Sequence, residues 1–211
     1  MNYKNSIITE NASELNYSCS WDEMKADIYP MLLPYKSCEN YLSKIVYRPF
    51  LDLIVCYCIR IPDRGKGVLI TADMLDEWKI TEEELKEQAE ENLKMDGYET
   101  LLVSKVIGDF FSCEGMPDMT VLTNRDKEYG AAGILYSALL RDYAELVQHN
   151  LILLPSSIHE WILLPDDGQF SVAEMKQLVN EVNREVLSAK DYLSDRVYYY
   201  DRKKNEVRIA A

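Results

Sequence analysis

Two short apolar runs, Leu151-Ile152-Leu153-Leu154 and Trp161-Ile162-Leu163-Leu164, most constrain how this chain folds. Runs of this length bounded by turn residues suit buried strands. Between them lie Pro155, Ser156, Ser157, Ile158, His159 and Glu160, the densest chemistry in the chain. If the insert is extended, alternation puts Ser157 and His159 on one face with Trp161, and Ile158, Glu160 and Ile162 on the other. Ser157 and His159 are then placed to cooperate, whereas the adjacent His159 and Glu160 need a bulge to do so. The plainer reading is a hairpin whose Pro-Ser-Ser turn is capped by hydroxyls and whose histidine is satisfied by a backbone carbonyl.

The chain as a whole has the composition of one medium globular domain or of a domain with a small appendage, with 47% hydrophobic and 28% charged residues among 211. Acidic residues number 36 against 23 basic, a formal charge of -13, so a phosphate backbone is repelled unless a local basic patch exists. Arg202, Lys203 and Lys204 read as a turn, and nucleic acid is therefore disfavoured as a partner. No stretch approaches the roughly 20 continuous apolar residues of a membrane helix.

Cys19, Cys38, Cys56, Cys58 and Cys113 form no even set and follow no signal peptide, which is the pattern of reduced thiols in a cytoplasm. Cys56 and Cys58 make a C-x-C on one face of a strand-like run. With only His149 and His159 elsewhere, ligands at usable spacing are lacking. No metal and no cofactor is expected.

Met1 to Ser20 reads as a polar tail. Ser20 with Glu23 forms a capping-box pattern, and Trp21, Met24, Ile28 and Leu32 predict a helix limited by Pro30 and Pro34. Leu51 to Ile61 predicts a strand, Pro62 to Gly65 a turn, and Gly67 to Thr71 the return strand. Thr71 and Thr81 begin helices, the second ending at Gly97 and carrying a Glu-rich face best read as solvated.

A lobe boundary is expected near 112–118. Met119 to Thr123 predicts a strand, and Gly130 to Gln148 a helix whose small first residues permit close packing or anion contact. Ser171 to Glu185 predicts an amphipathic helix, and Val197 to Tyr200 with Glu206 to Ile209 a final hairpin. The order of elements implies an α+β fold, a mainly antiparallel sheet with helices packed chiefly on one face. Residues 21–211 are expected to form a single domain, or two lobes divided near 112–118.

Val121-Leu122-Thr123-Asn124, Gly130-Ala131-Ala132, Leu154-Pro155-Ser156-Ser157-Ile158-His159-Glu160, Leu193-Ser194-Asp195 and Val197-Tyr198 together resemble a bacterial family catalogued as domain of unknown function 5688. The likeness is close over the C-terminal half and looser over Thr71 to Leu93. It implies a unified fold and a bacterial cytoplasmic setting, lends no reaction, and implies an N-terminus shorter than usual for the family. It also singles out Asn124, Ser156, Ser157, His159, Glu160, Asn183, Ser194 and Asp195 as polar positions that converge if the strand before Asn124 lies beside the central hairpin.

Two functions follow. In one, a non-catalytic binding or regulatory module uses the 155–160 loop for a protein or small-molecule partner, with Asn124, Ser156, Ser157, His159, Glu160, Ser194 and Asp195 as its ligand-binding residues. In the other, a hydrolase uses Ser156 or Ser157 as nucleophile, His159 as base, and Asp195 or Glu160 as orienter, with N–H groups at Gly130 to Ala132 stabilising the oxyanion. A metal-assisted variant would use His159, Glu160 and Asp195. No serine lies on a G-x-S-x-G elbow, and the binding reading is preferred.

Overall fold

A computed structural model describes residues 19–61, 66–102, 119–185 and 187–211. The tail before Cys19, Cys113, the turn at 62–65 and the stretch at 112–118, where a division was expected, lie outside the described residues. The chain folds as two compact units, Met1–Asp96 and Gly97–Ala211.

In the first unit the Glu23 carboxylate reaches back to the main-chain N–H and hydroxyl of Ser20, both at 2.8 Å. The helix so started, α1 (Trp21–Met24), lasts one turn and passes through a 3-10 turn, Lys25–Asp27. The chain then becomes strand β1 (Ile28–Pro34), where the helix was expected to continue. Proline inside a helix lacks the required N–H and clashes with the preceding turn, and it drives the residue before it to extended backbone. Pro30 and Pro34 are tolerated in β1 because it is an edge strand, paired among the described residues only with β3 (Leu53–Ile61).

Strand β3 is the centre of a four-stranded antiparallel sheet. β1 runs along one side of it, while β2 (Tyr47–Phe50) and β4 (Lys66–Leu69) divide the other. Short helix α2 (Tyr35–Cys38) follows β1, and α3 (Ala72–Trp78) is capped by the Thr71 hydroxyl. Helix α4 (Glu82–Met95) starts after Thr81 as predicted, and the structure adds a capping box in which Glu84 closes on Thr81. Its buried stripe is Leu85, Ala89 and Leu93, each worth roughly 1 to 3 kcal/mol by apolar burial, less for the alanine. Asn92 Nδ2 donates to the carbonyls of Lys25 and Ile28 at 2.7 and 2.8 Å, tying α4 to the start of β1. The glutamates of the opposite face are exposed, apart from half-buried Glu90.

The sheet interior holds Cys56 and Cys58, both fully buried. Burial pushes the Cys58 thiol up to about 12 and that of Cys38 to about 11, so all three remain protonated. At the end of β3, Arg60 makes a two-pronged ion pair with Asp96 and stacks its guanidinium on the Tyr29 ring, 3.7 Å from the centroid.

The second unit is a six-stranded antiparallel sheet of order β10-β9-β7-β8-β6-β5. Its strands are β5 (Glu99–Leu102), β6 (Thr120–Thr123), β7 (Leu151–Ser157), β8 (Glu160–Pro165), β9 (Tyr198–Asp201) and β10 (Glu206–Ile209). The α+β class, the central hairpin and the final hairpin are therefore as expected. The expected helix from Gly130 to Gln148 is divided into a 3-10 segment, Gly130–Leu135, and α5 (Ser137–Val147), with Tyr136 between them outside helical geometry. Two glycines in the first four residues weaken an α-helix, and both are packed too closely to admit a side chain, Gly133 against the Tyr98 ring.

Alternation along the central strands sorts this core into two layers. Ile152, Leu154 and Leu164 pack against Met175 and Val179 of α6 (Val172–Glu185). The other face turns toward 130–147: Trp161 Nε1 donates to the Ala131 carbonyl at 2.8 Å, and the Tyr143 hydroxyl to Thr120 Oγ1 at 2.7 Å. No helix among the described residues is long and apolar enough to cross a membrane.

Candidate functional site

The polar insert forms the tip of the β7–β8 hairpin. Proline and both serines belong to β7, and the reversal is made by Ile158 and His159. Pairing shifts between Pro155, opposite Trp161, and Ser157, opposite Glu160, so Ser156 is the extra residue of a β-bulge. The bulge turns the Ser156 hydroxyl toward Glu160, to which it donates at 2.9 Å.

Because the chain reverses at the tip, the alternation that would set Ser157 beside His159 on one face does not operate. The two meet differently: Ser157 Oγ accepts the main-chain N–H of His159 at 3.1 Å. The tip is pinned from two directions, with Ile158 N–H donating to the Asp191 carbonyl at 2.9 Å and Ala131 N–H to the Ile158 carbonyl at 3.3 Å. Thr123 Oγ1 donates to the His159 carbonyl at 3.0 Å. β6 lies beside β8, so the residues after Thr123 arrive at this end of the sheet.

The imidazole of His159 accepts from a backbone amide, not a hydroxyl. Tyr129 N–H donates to Nδ1 at 3.1 Å, which leaves Nδ1 bare and puts the proton of the neutral ring on Nε2. Nε2 faces the Asp191 carboxylate at 3.5 Å, and the Tyr129 ring lies 5.6 Å away between centroids. Gly130 makes this approach possible. A Cβ there would fall 2.5 Å from the His159 carbonyl oxygen and 2.8 Å from the Asn124 nitrogen.

Of the residues singled out from the sequence, Ser156, Ser157, His159 and Glu160 come together at the tip. Asn124 lies at its margin, where it braces a loop by donating to the Glu128 carbonyl and accepting the Glu128 N–H. Asp195 and Ser194 belong to a different group: Asn183 Nδ2 donates to Asp195 Oδ1 at 2.8 Å and to the Ser194 carbonyl at 3.0 Å. The carboxylate beside the imidazole is that of Asp191, which the sequence reading did not name. Tyr129 lies between the predicted strand Met119 to Thr123 and the predicted helix from Gly130, where nothing in the sequence singles it out. Neither residue carries a local pattern that marks it, because both reach His159 through tertiary pairing. Among the described residues no three His, Cys, Asp or Glu side chains are grouped so as to hold a metal ion.

No curated protein and no solved structure matches the chain. A family model does, and it extends the likeness seen in the C-terminal half across nearly the whole length: the chain belongs, over residues 2–202, to a family of unknown function (DUF5688).

Proposed function

We propose that the protein is a non-catalytic binding module whose contact surface is the bulged hairpin tip, residues 155–160. The observation that carries this reading is the commitment of the reactive groups. Ser157 Oγ is used by the His159 amide, the Ser156 hydroxyl by Glu160, and His159 Nδ1 by Tyr129. A serine nucleophile needs a base within hydrogen-bond reach of its hydroxyl, and the bare nitrogen of His159 already accepts another donor. Held in this way the tip is rigid, and Ser156, His159 and Glu160 stay half-exposed. A surface shaped in advance binds a peptide or small molecule with little ordering cost.

The test combines a reactivity probe with a binding screen. A fluorophosphonate is expected to leave the purified protein unlabelled. Thermal-shift hits from a small-molecule and peptide panel are expected to disappear in Ser156→Ala and Glu160→Gln variants that keep the fold. Labelling of the wild type that is abolished by Ser157→Ala and by His159→Ala would overturn the reading in favour of a hydrolase.

A further inference from the structure

The segment from Asn124 to Gly130 is held in a strained shape beside the tip. Lys127 and Tyr129 sit at φ of 56° and 53°, a region that costs a residue bearing a side chain roughly 1 to 2 kcal/mol. Offsetting contacts come from the Asn124 side chain on Glu128, from Lys127 N–H on the Asn124 carbonyl at 3.1 Å, and from Tyr129 N–H on His159 Nδ1. The last differs from the others because its acceptor can be removed. An imidazole nitrogen accepts only while it carries no proton. In the charged ring both nitrogens bear hydrogen, and turning the ring over offers Tyr129 an N–H or a C–H, never a lone pair.

We propose that the Tyr129–His159 bond is a proton-operated latch: the neutral imidazole closes it, and the protonated imidazole releases the 124–130 loop from the hairpin tip. The groups around the ring set up this exchange. From the loop before Leu193, the Asp191 carboxylate faces Nε2 at 3.5 Å. From the 124–130 loop come the Tyr129 N–H and ring, with Glu128 next in the chain bonded through its backbone to Asn124. The Thr123 hydroxyl at the end of β6 donates to the His159 carbonyl, Ser157 takes the His159 amide, and the Glu160 carboxylate is engaged by Ser156. Protonation thus strengthens one contact, to Asp191, while abolishing the other, to Tyr129. The side chain is 32% exposed, so protons reach it directly. The latch goes beyond the binding reading and stands whatever the tip recognises.

Nitrogen-15 NMR of the whole chain tests it. At pH 8 the bare imidazole nitrogen of His159 is expected to be Nδ1. Between about pH 8 and pH 5, the range in which imidazoles titrate, exchange protection of the Tyr129 amide, corrected for intrinsic rate, is expected to fall about tenfold as one hydrogen bond becomes a clash. In His159→Asn, whose Oδ1 takes the place of Nδ1 and accepts at every pH, protection is expected to stay level. A proton on Nδ1 at pH 8, or protection that holds while the imidazole titrates, or an equal fall in the asparagine variant, would overturn the latch. If that variant does not fold, the two wild-type measurements decide.

Discussion

The indole of Trp161 and the carbonyl of Ala131 form a hydrogen bond of 2.8 Å inside the second unit. It joins the middle of the sheet to the 3-10 segment, with Trp161 completely buried and its ring edge-on to Tyr198 at 5.0 Å. Trp161→Phe removes the donor, strands a buried carbonyl and leaves a void. A loss of about 2 to 4 kcal/mol is expected, read from urea unfolding followed by circular dichroism. A loss below about 0.5 kcal/mol, the ordinary scatter of surface changes, would show that the carbonyl finds another partner.

Gly130→Ala is expected to be worse than its size suggests. The added methyl meets the His159 carbonyl and the Asn124 nitrogen, atoms that move only with the backbone, and overpacking of this kind costs about 1 to 3 kcal/mol. Gly168→Ala is the control, since nothing lies within 4 Å of its Cβ and only its φ of +84° is unfavourable. Melting temperatures of the two variants are expected to separate clearly, with Gly130→Ala the lower.

Breaking the Arg60–Asp96 pair is expected to harm the first unit more than removing it whole. The side chains are only 13% and 6% exposed, so Asp96→Ala leaves a guanidinium out of water and is expected to cost about 3 kcal/mol or more. The double variant Arg60→Met with Asp96→Leu is expected to recover part of that loss. A double-mutant cycle measures the coupling, and a sum of single effects equal to the double effect would refute it.

The buried thiols make a prediction about alkaline pH. Cys38 and Cys58 keep their protons to about 11 and about 12 in the folded chain, against an ordinary value of 9.0. Above 9 the unfolded chain therefore binds fewer protons than the folded one, and stability falls with rising pH. Their contribution is complete below pH 9 and is eroded as pH climbs toward 11 and 12. Urea midpoints are expected to fall less between pH 9 and 10.5 in Cys38→Ala with Cys58→Ala than in the wild type. At pH 8, iodoacetamide is expected to reach half-exposed Cys19 in the native protein, but Cys38, Cys56 and Cys58 only on unfolding.

Local signals in this chain were legible wherever the determining atoms are close in sequence. Ser20 with Glu23, Thr81 with Glu84 and Ser171 with Glu174 all start helices, each glutamate bonded to its cap. The hairpin from Leu151 to Pro165 was equally plain, since two apolar runs joined by six residues have little else to pair with. The stretch from Ile28 to Pro34 was misread because Trp21, Met24, Ile28 and Leu32 satisfy a helical period, and the period outweighed the prolines. At the candidate site, Ser156, Ser157, His159 and Glu160 stand out in the sequence by their chemistry. Naming Asp195 or Glu160 as the carboxylate near His159 does not reach Asp191, because neighbours in the second unit are decided by how the loop after α6 docks on Ile158.

Strand β3 is buried at every position from Leu53 to Ile59. Where one face of a strand is polar, slipping the pairing by a single residue exposes the wrong side chains and is rejected. Here both faces are equally apolar, and a slipped sheet would look almost as good to the solvent. Pairing is instead counted from the two-residue bend at Leu51–Asp52, where Leu51 holds φ at 56° and brings Phe50 opposite Leu53. The register of β2 against β3 is therefore information stored in one exposed turn, and the kinetics of finding that alignment depend on how early the turn closes.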